Sequence, residues 1–218
     1  MKKSYINKLS EYKYQINQFD KTNFFKSIFE LLDNNNATII KNEITSDINI
    51  EFYATSVKPL LYYQEHNLID YHLIILIIYS LYKQQTILEK YGIGFYGIDI
   101  NDIIIIDSKI VICINTTFIK DINNEHFIFN SPFNRELKHF FSPEIININI
   151  IPSIISNKCF YYSLGSLSVY CLFGIKINPE NHDIDYKIIL KPIAQTKLYW
   201  MILKSLSFDC NTRTLIFI

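Results

Sequence analysis

Apolar residues recur at helical spacing through Phe24, Phe25, Ile28, Phe29, Leu31 and Leu32, which predicts a helix capped by Asp20 or Thr22 and ended by Asp33-Asn34-Asn35-Asn36. Thr38–Ile44 and Ile48–Ala54 read instead as two strands around a Thr45-Ser46-Asp47 turn. Pro59 to Asn67 reads as a connector. From Leu68 to Lys90 runs the longest helix, apolar almost all round through Leu73, Ile74, Ile75, Leu76, Ile77, Ile78 and Leu81. A helix with that pattern is surrounded by protein. After Gly92 and Gly94, the runs Ile103–Ile106 and Ile110–Ile114 flank Asp107-Ser108-Lys109 and predict a β-hairpin. Residues 115–144 are polar and irregular, and a loop of that length inside a compact domain tends to be functional or displaced. Two further helices are expected over Ser163–Phe173 and Thr196–Leu206, with a loop over 174–191 between them. Residues 1–20 show no clean periodicity. The mixture of strands and helices places the chain in the α+β class.

Composition narrows the function classes. Formal net charge is zero, from 21 basic and 21 acidic side chains, so no global field draws in nucleic acid or an anionic membrane. Cys113, Cys159, Cys171 and Cys210 are scattered, and the five histidines (His66, His72, His126, His139, His182) never fall at metal-ligand spacing, so neither a zinc site nor a disulfide framework is expected. Tyr162 and Trp200 lie in apolar helical context and read as core aromatics rather than a base-stacking platform. The start Met1-Lys2-Lys3 is basic but no apolar run follows it, so no signal peptide is expected. Leu73–Leu81 falls well short of the ~20 apolar residues needed to span a bilayer. These features lead us to expect a soluble cytoplasmic protein. The wealth of Ile, Asn, Tyr, Phe and Lys beside only five Gly fits an AT-rich genome, as in a parasite, an endosymbiont or a large DNA virus.

Three short motifs follow one another in the C-terminal part: Ser142-Pro143-Glu144, Ser163-Leu164-Gly165 and Asp209-Cys210-Asn211-Thr212-Arg213. Their order and spacing resemble the "Ala-Pro-Glu", "Asp-x-Trp-Ser-Leu-Gly" and "Asp-Pro-x-x-Arg" signatures of protein kinases. The resemblance implies a mainly helical, kinase-like C-terminal lobe over 68–218 that carries the β-hairpin. A reduced N-terminal lobe of strands and a helix over 1–67 would accompany it. It also implies structural roles for Glu144, Arg213 and Gly165. Glu144 and Arg213 would form the buried ion pair that ties the end of the activation segment to the C-terminal helices, and residues 115–144 would be that segment. An Asp expected three residues before Ser163 is replaced by Phe160.

The residues that make a kinase an enzyme are missing upstream. In the pattern "His-Arg-Asp-Leu-x-x-x-x-Asn" the Asn lies five residues after the catalytic Asp. Placing Asp102 at the Asn puts Gly97 at the catalytic Asp, and glycine cannot orient or deprotonate a hydroxyl. Making Asp99 the base puts Ile104 at the metal-binding position. Where "Asp-Phe-Gly" should stand the chain reads Asn115-Thr116-Thr117, and Asn brings no charge to offset magnesium and phosphate. No glycine precedes Gly92, so no glycine-rich loop can cover a nucleotide. A lysine–glutamate pair of the upper lobe has one candidate, Lys13 with Glu30. The expectation is a pseudokinase with no catalytic residue and no cofactor, acting through a protein partner such as a kinase or host signalling protein. Neither nucleic acid nor membrane is expected as a partner, and a viral chain would act in the host cytoplasm. One alternative is an atypical Ser/Thr kinase with Asp99 as base and Asp102 and Asn115 binding Mg-ATP. The other is an unrelated helical interaction protein.

Overall fold

In a computed structural model of the chain, residues 5–18, 22–35, 39–44, 48–131, 140–179 and 185–215 are described. The elements in order are β1 (Tyr5–Lys8), β2 (Lys13–Gln18), α1 (Thr22–Asn34), β3 (Ile39–Ile44), β4 (Ile48–Tyr53), β5 (Val57–Pro59), α2 (Leu60–Glu65) and α3 (Tyr71–Lys90). Then come β6 (Ile93–Phe95), β7 (Ile103–Ile106), β8 (Ile110–Cys113), β9 (Ile119–Asn123), β10 (His126–Phe129), α4 (Pro143–Ile146), β11 (Ser153–Ser156), α5 (Cys159–Phe173), α6 (Tyr186–Ile189) and α7 (Lys197–Ser205). This is a mixed α+β chain with three small antiparallel sheets. It forms two compact units that interleave along the sequence: 1–68, 79–93 and 100–118 in the first, 69–78, 94–99 and 119–218 in the second.

The first unit holds a four-stranded sheet in the order β1-β2-β4-β3, with α1 inserted between its second and third strands in the chain. Alternation on β2 turns Tyr14 and Ile16 inward, and Ile50 and Phe52 of β4 do the same. Phe24, Phe25, Ile28, Leu31 and Leu32 of α1 are buried. A second sheet, β5-β7-β8, is hydrophobic throughout its hairpin because every residue of Ile103–Ile106 and Ile110–Cys113 is buried. Ile106 pairs with Ile110, and the three-residue loop between them uses Asp107 and Ser108 at φ 50° and 54°, both left-handed, with Lys109 N donating to Ile106 O at 3.0 Å. Asp107 is held in that conformation because its Oδ1 accepts from Thr55 N (2.8 Å), Thr55 Oγ1 (2.6 Å) and Ser56 N (2.7 Å). Gln84 on α3 is fully buried and bonds Cys113 through both amide atoms: Nε2 donates to Cys113 O at 2.8 Å and Oε1 accepts from Cys113 N at 2.9 Å.

In the second unit α5 is apolar on all sides and buried along nearly its whole length, so it serves as a central rod. It ends at Gly174, whose φ of 68° supplies the left-handed cap, with Gly174 N donating to Tyr170 O at 2.8 Å. α7 packs on it at Gly165, where a Cβ would collide with Ser205 Oγ and would lie 3.2 Å from Leu206 Cγ. The remaining sheet has the order β11-β10-β9-β6.

Several elements differ from the sequence reading. Residues 5–18 form two strands although each has few apolar residues. The expected connector contains β5 and α2. The long helix begins at Tyr71, because the Asp70 carboxylate caps it by accepting from Leu73 N at 2.7 Å. The irregular stretch 115–144 contains the β9–β10 hairpin, turning through Asn124 and Glu125 at φ 47° and 64°. α5 starts at Cys159, so Ser163 lies inside the helix and its hydroxyl bonds back to Cys159 O. Trp200 is 53% exposed and is no core residue, whereas Tyr162 is buried. The Asp20 cap, the Thr45-Ser46-Asp47 turn, His139 and His182 lie outside the described residues.

Candidate functional site

Glu144 and Arg213 are brought together. Glu144 sits in the first turn of α4, and Arg213 follows a 3₁₀ turn that Asp209 caps by accepting from Asn211 N at 2.9 Å. The two side chains meet as a fork: Arg213 Nη2 donates to Glu144 Oε2 at 2.8 Å, and Nη1 donates to Oε1. The guanidinium side chain is wholly buried and the carboxylate side chain 22% exposed. Arg213 Nε also donates to Ser207 O at 2.6 Å and Nη2 to Phe208 O at 3.0 Å, while the cation lies 5.1 Å from the Tyr162 ring centre. Burial, with a smaller contribution from Tyr186, raises the Tyr162 phenol far above its ordinary value, and Arg213 opposes the shift. The Tyr162 and Tyr186 hydroxyls are 3.2 Å apart.

Gly97 is buried, and a Cβ placed on it would run into the Phe141 ring. That ring stacks on Tyr96 at 6.2 Å, and Tyr96 meets Phe127 and Phe129 edge-on at 6.2 and 5.3 Å. Phe95 stacks on Phe160 at 5.8 Å. The neighbourhood of Gly97 is therefore an aromatic cluster that includes one phenol. Burial, with a lesser effect of Cys159, pushes the Tyr96 pKa up to about 12. Cys159 is itself raised well above the usual thiol range by burial and then by Glu144, so it is a packed thiol rather than a nucleophile. Asp99 is half-buried two residues on.

Asp102 and Asn115 belong to the first unit, whereas Gly97 and Asp99 belong to the second. Asn115 Nδ2 donates to Asp102 Oδ1 at 2.8 Å. Its carbonyl oxygen, the atom a hard cation would need, accepts from Thr117 N at 3.0 Å and from Thr117 Oγ1 at 2.8 Å. Those two bonds occupy both lone pairs. Among the described residues no group of three or more His, Cys, Asp and Glu side chains could hold a metal ion.

The candidate upper-lobe pair is not formed. Lys13 Nζ lies 2.7 Å from Glu51 Oε2 on the neighbouring strand, and Glu30 accepts from the Tyr91 hydroxyl instead. That hydrogen bond is the main reason the Tyr91 pKa is raised. Sequence reasoning missed Phe141 and Gln84. The first adjoins Ser142-Pro143-Glu144, and the second is one of two adjacent amides, Gln84 and Gln85, in a largely apolar helix, a pattern that signals a buried polar contact.

No helix among the described residues is long and apolar enough to cross a membrane. No protein-family model matches the chain, and no curated protein shows significant similarity to it.

Proposed function

We propose that the chain is a pseudokinase, a protein kinase-like framework that acts by binding another protein and does not transfer phosphate. The observation that carries this reading is the Phe141 ring beside Gly97, the position that the resemblance assigns to the catalytic Asp. Phosphoryl transfer is catalysed by positioning and charge compensation. At Gly97 there is neither a carboxylate nor room for one. The carbonyl oxygen of Asn115, where a metal ligand would be needed, is occupied by Thr117. Phe160 stacks on Phe95 where a tethering Asp would stand.

The framework side of the reading is supported by the Glu144–Arg213 fork, by the buried rod α5, and by the succession of long helix, short strand and hairpin in α3, β6, β7 and β8. The four-stranded sheet β1-β2-β4-β3 with α1, all within residues 1–67, fits a reduced upper lobe. The partner on this reading is a kinase or another signalling protein, a host protein if the genome is viral. Thermal melting with Mg-ATP tests it. A ligand present at a hundred times its dissociation constant stabilises a protein by about 2.7 kcal/mol. No shift at millimolar nucleotide is expected.

An atypical kinase is the second reading, favoured by the 2.8 Å Asn115–Asp102 bond, which keeps two oxygen-bearing side chains adjacent. A magnesium-dependent shift that Asp102→Ala removes, together with phosphate transfer that Asp99→Asn removes, would establish it in place of the first.

A further inference from the structure

We propose that the solvent face of α7, formed by Lys197, Trp200 and Lys204, docks on the surface of an anionic lipid bilayer. The three residues stand at i, i+3 and i+7 and share one stripe of the helix. Leu198, Met201, Ile202 and Ser205 are buried on the other side, so the helix is fixed by one face and presents the other. Trp200 is 53% exposed while the adjacent Tyr199 is 9% exposed, and the two rings meet edge-on at 5.1 Å. Phe208, just past the helix, is 58% exposed, and Ile188 on α6 is 71% exposed.

Charge is segregated in the same stretch. Between Tyr186 and Phe208 there are four lysines (Lys187, Lys191, Lys197, Lys204) and no Asp or Glu, in a chain of zero net charge. Glu180 and Asp183 precede this run in the sequence. The acids at its two ends face backbone: Asp185 accepts from Lys187 N and Asp209 from Asn211 N, both at 2.9 Å. The balanced total thus conceals a run of four lysines, flanked by Asp185 and Asp209.

A lipid surface fits this chemistry better than the other anionic partners. Protein interfaces favour Arg and are depleted in Lys, and this stretch has lysines alone. Single-stranded nucleic acid is bound on a run of aromatic side chains that stack successive bases, whereas this stripe offers one indole. An anionic bilayer uses the lysines and the indole together: the lysines meet the headgroups while their stems lie along apolar surface, and Trp200 sits at headgroup level. The contact is peripheral and independent of the pseudokinase reading.

The test uses the full chain and vesicles of phosphatidylcholine with or without phosphatidylserine. Sedimentation gives one readout, and the emission of Trp200, the chain's single tryptophan, gives the other. Sedimentation and a blue shift are expected only with phosphatidylserine, and both should fade with added salt. The double change Lys197→Glu, Lys204→Glu should weaken binding by more than about tenfold. Trp200→Ala should reduce sedimentation, and the lysine variant should melt as the parent does, since both lysines are exposed. The proposal is overturned if phosphatidylserine vesicles do not bind, or if the lysine variant binds as well as the parent. It is equally overturned if a single-stranded oligonucleotide or polyglutamate shifts Trp200 emission while vesicles do not.

Discussion

Removing one side of the Glu144–Arg213 fork strands the other. In Glu144→Leu the guanidinium keeps the Ser207 and Phe208 carbonyls and the Tyr162 ring, but loses, in a fully buried position, the counter-charge it has among the described residues. Breaking a buried pair in this way costs about 3–5 kcal/mol. Because the carboxylate is 22% exposed, part of that is screened, and the lower end, about 3 kcal/mol, is expected. For a chain of this size that corresponds to a fall of about 6–12 °C in Tm. Arg213→Met should cost a similar amount, since it strands the carboxylate and frees two carbonyls. The double variant replaces both charges by apolar groups and should recover much of the loss, giving a coupling of about 2 kcal/mol or more in a double-mutant cycle. Melting followed by circular dichroism measures all four proteins. If the single losses add to within about 0.5 kcal/mol, the two residues act independently and the account of a buried tie is wrong.

Gly97→Asp should destabilise by about 1–3 kcal/mol through its collision with the Phe141 ring, and should yield no phosphate transfer in a radiolabel assay. Gly165→Ala should also destabilise, despite alanine's ~1 kcal/mol advantage in helices, because Ser205 Oγ is fixed by its bond to Ile202 O at 2.8 Å. Adding Ser205→Ala should restore part of the loss, as read by urea denaturation. Tyr96 has a folded pKa of about 12 against an ordinary value of about 10. Its stabilising contribution is therefore whole below pH ~10 and is lost as pH rises through ~12. An alkaline titration should show a phenol ionising near pH 12 that Tyr96→Phe removes, while Tyr162, raised further by burial, ionises later still.

What the sequence made legible was set by the length and purity of each hydrophobic pattern. α1, α3, the β7–β8 hairpin, α5 and α7 carry long apolar signals, and each is found, with its ends at the expected residue or within four of it. Strand β2 places only Tyr14 and Ile16 inward, among Lys13, Gln15 and Asn17, and so short an alternation cannot be distinguished from chance. The β9–β10 turn uses Asn124 and Glu125 at positive φ without a glycine, so the usual Asn-Gly signal was missing. The motif residues were visible at the site, yet their surroundings were not. Nothing in the chain order indicates that Phe141 fills the space beside Gly97, a contact made across more than forty residues.

Framework residues and chemical residues differ in what their loss costs, and on the pseudokinase reading that difference accounts for which residues are present. A buried guanidinium with a single carboxylate partner cannot lose that partner alone without a penalty comparable to much of a domain's stability. Gly165 is held by the same logic, because any side chain there forces α5 and α7 apart. A catalytic carboxylate is the opposite case: it is desolvated for the benefit of a substrate, so replacing it by glycine relieves a cost, and a neighbouring aromatic ring can take the vacated volume. On the pseudokinase reading, Phe141 and Phe160 are what such relief looks like in side chains. The reading thereby predicts a direction. A carboxylate introduced at Gly97 should lower stability, and a gain would show that the space beside the Phe141 ring accepts the side chain and would refute this account.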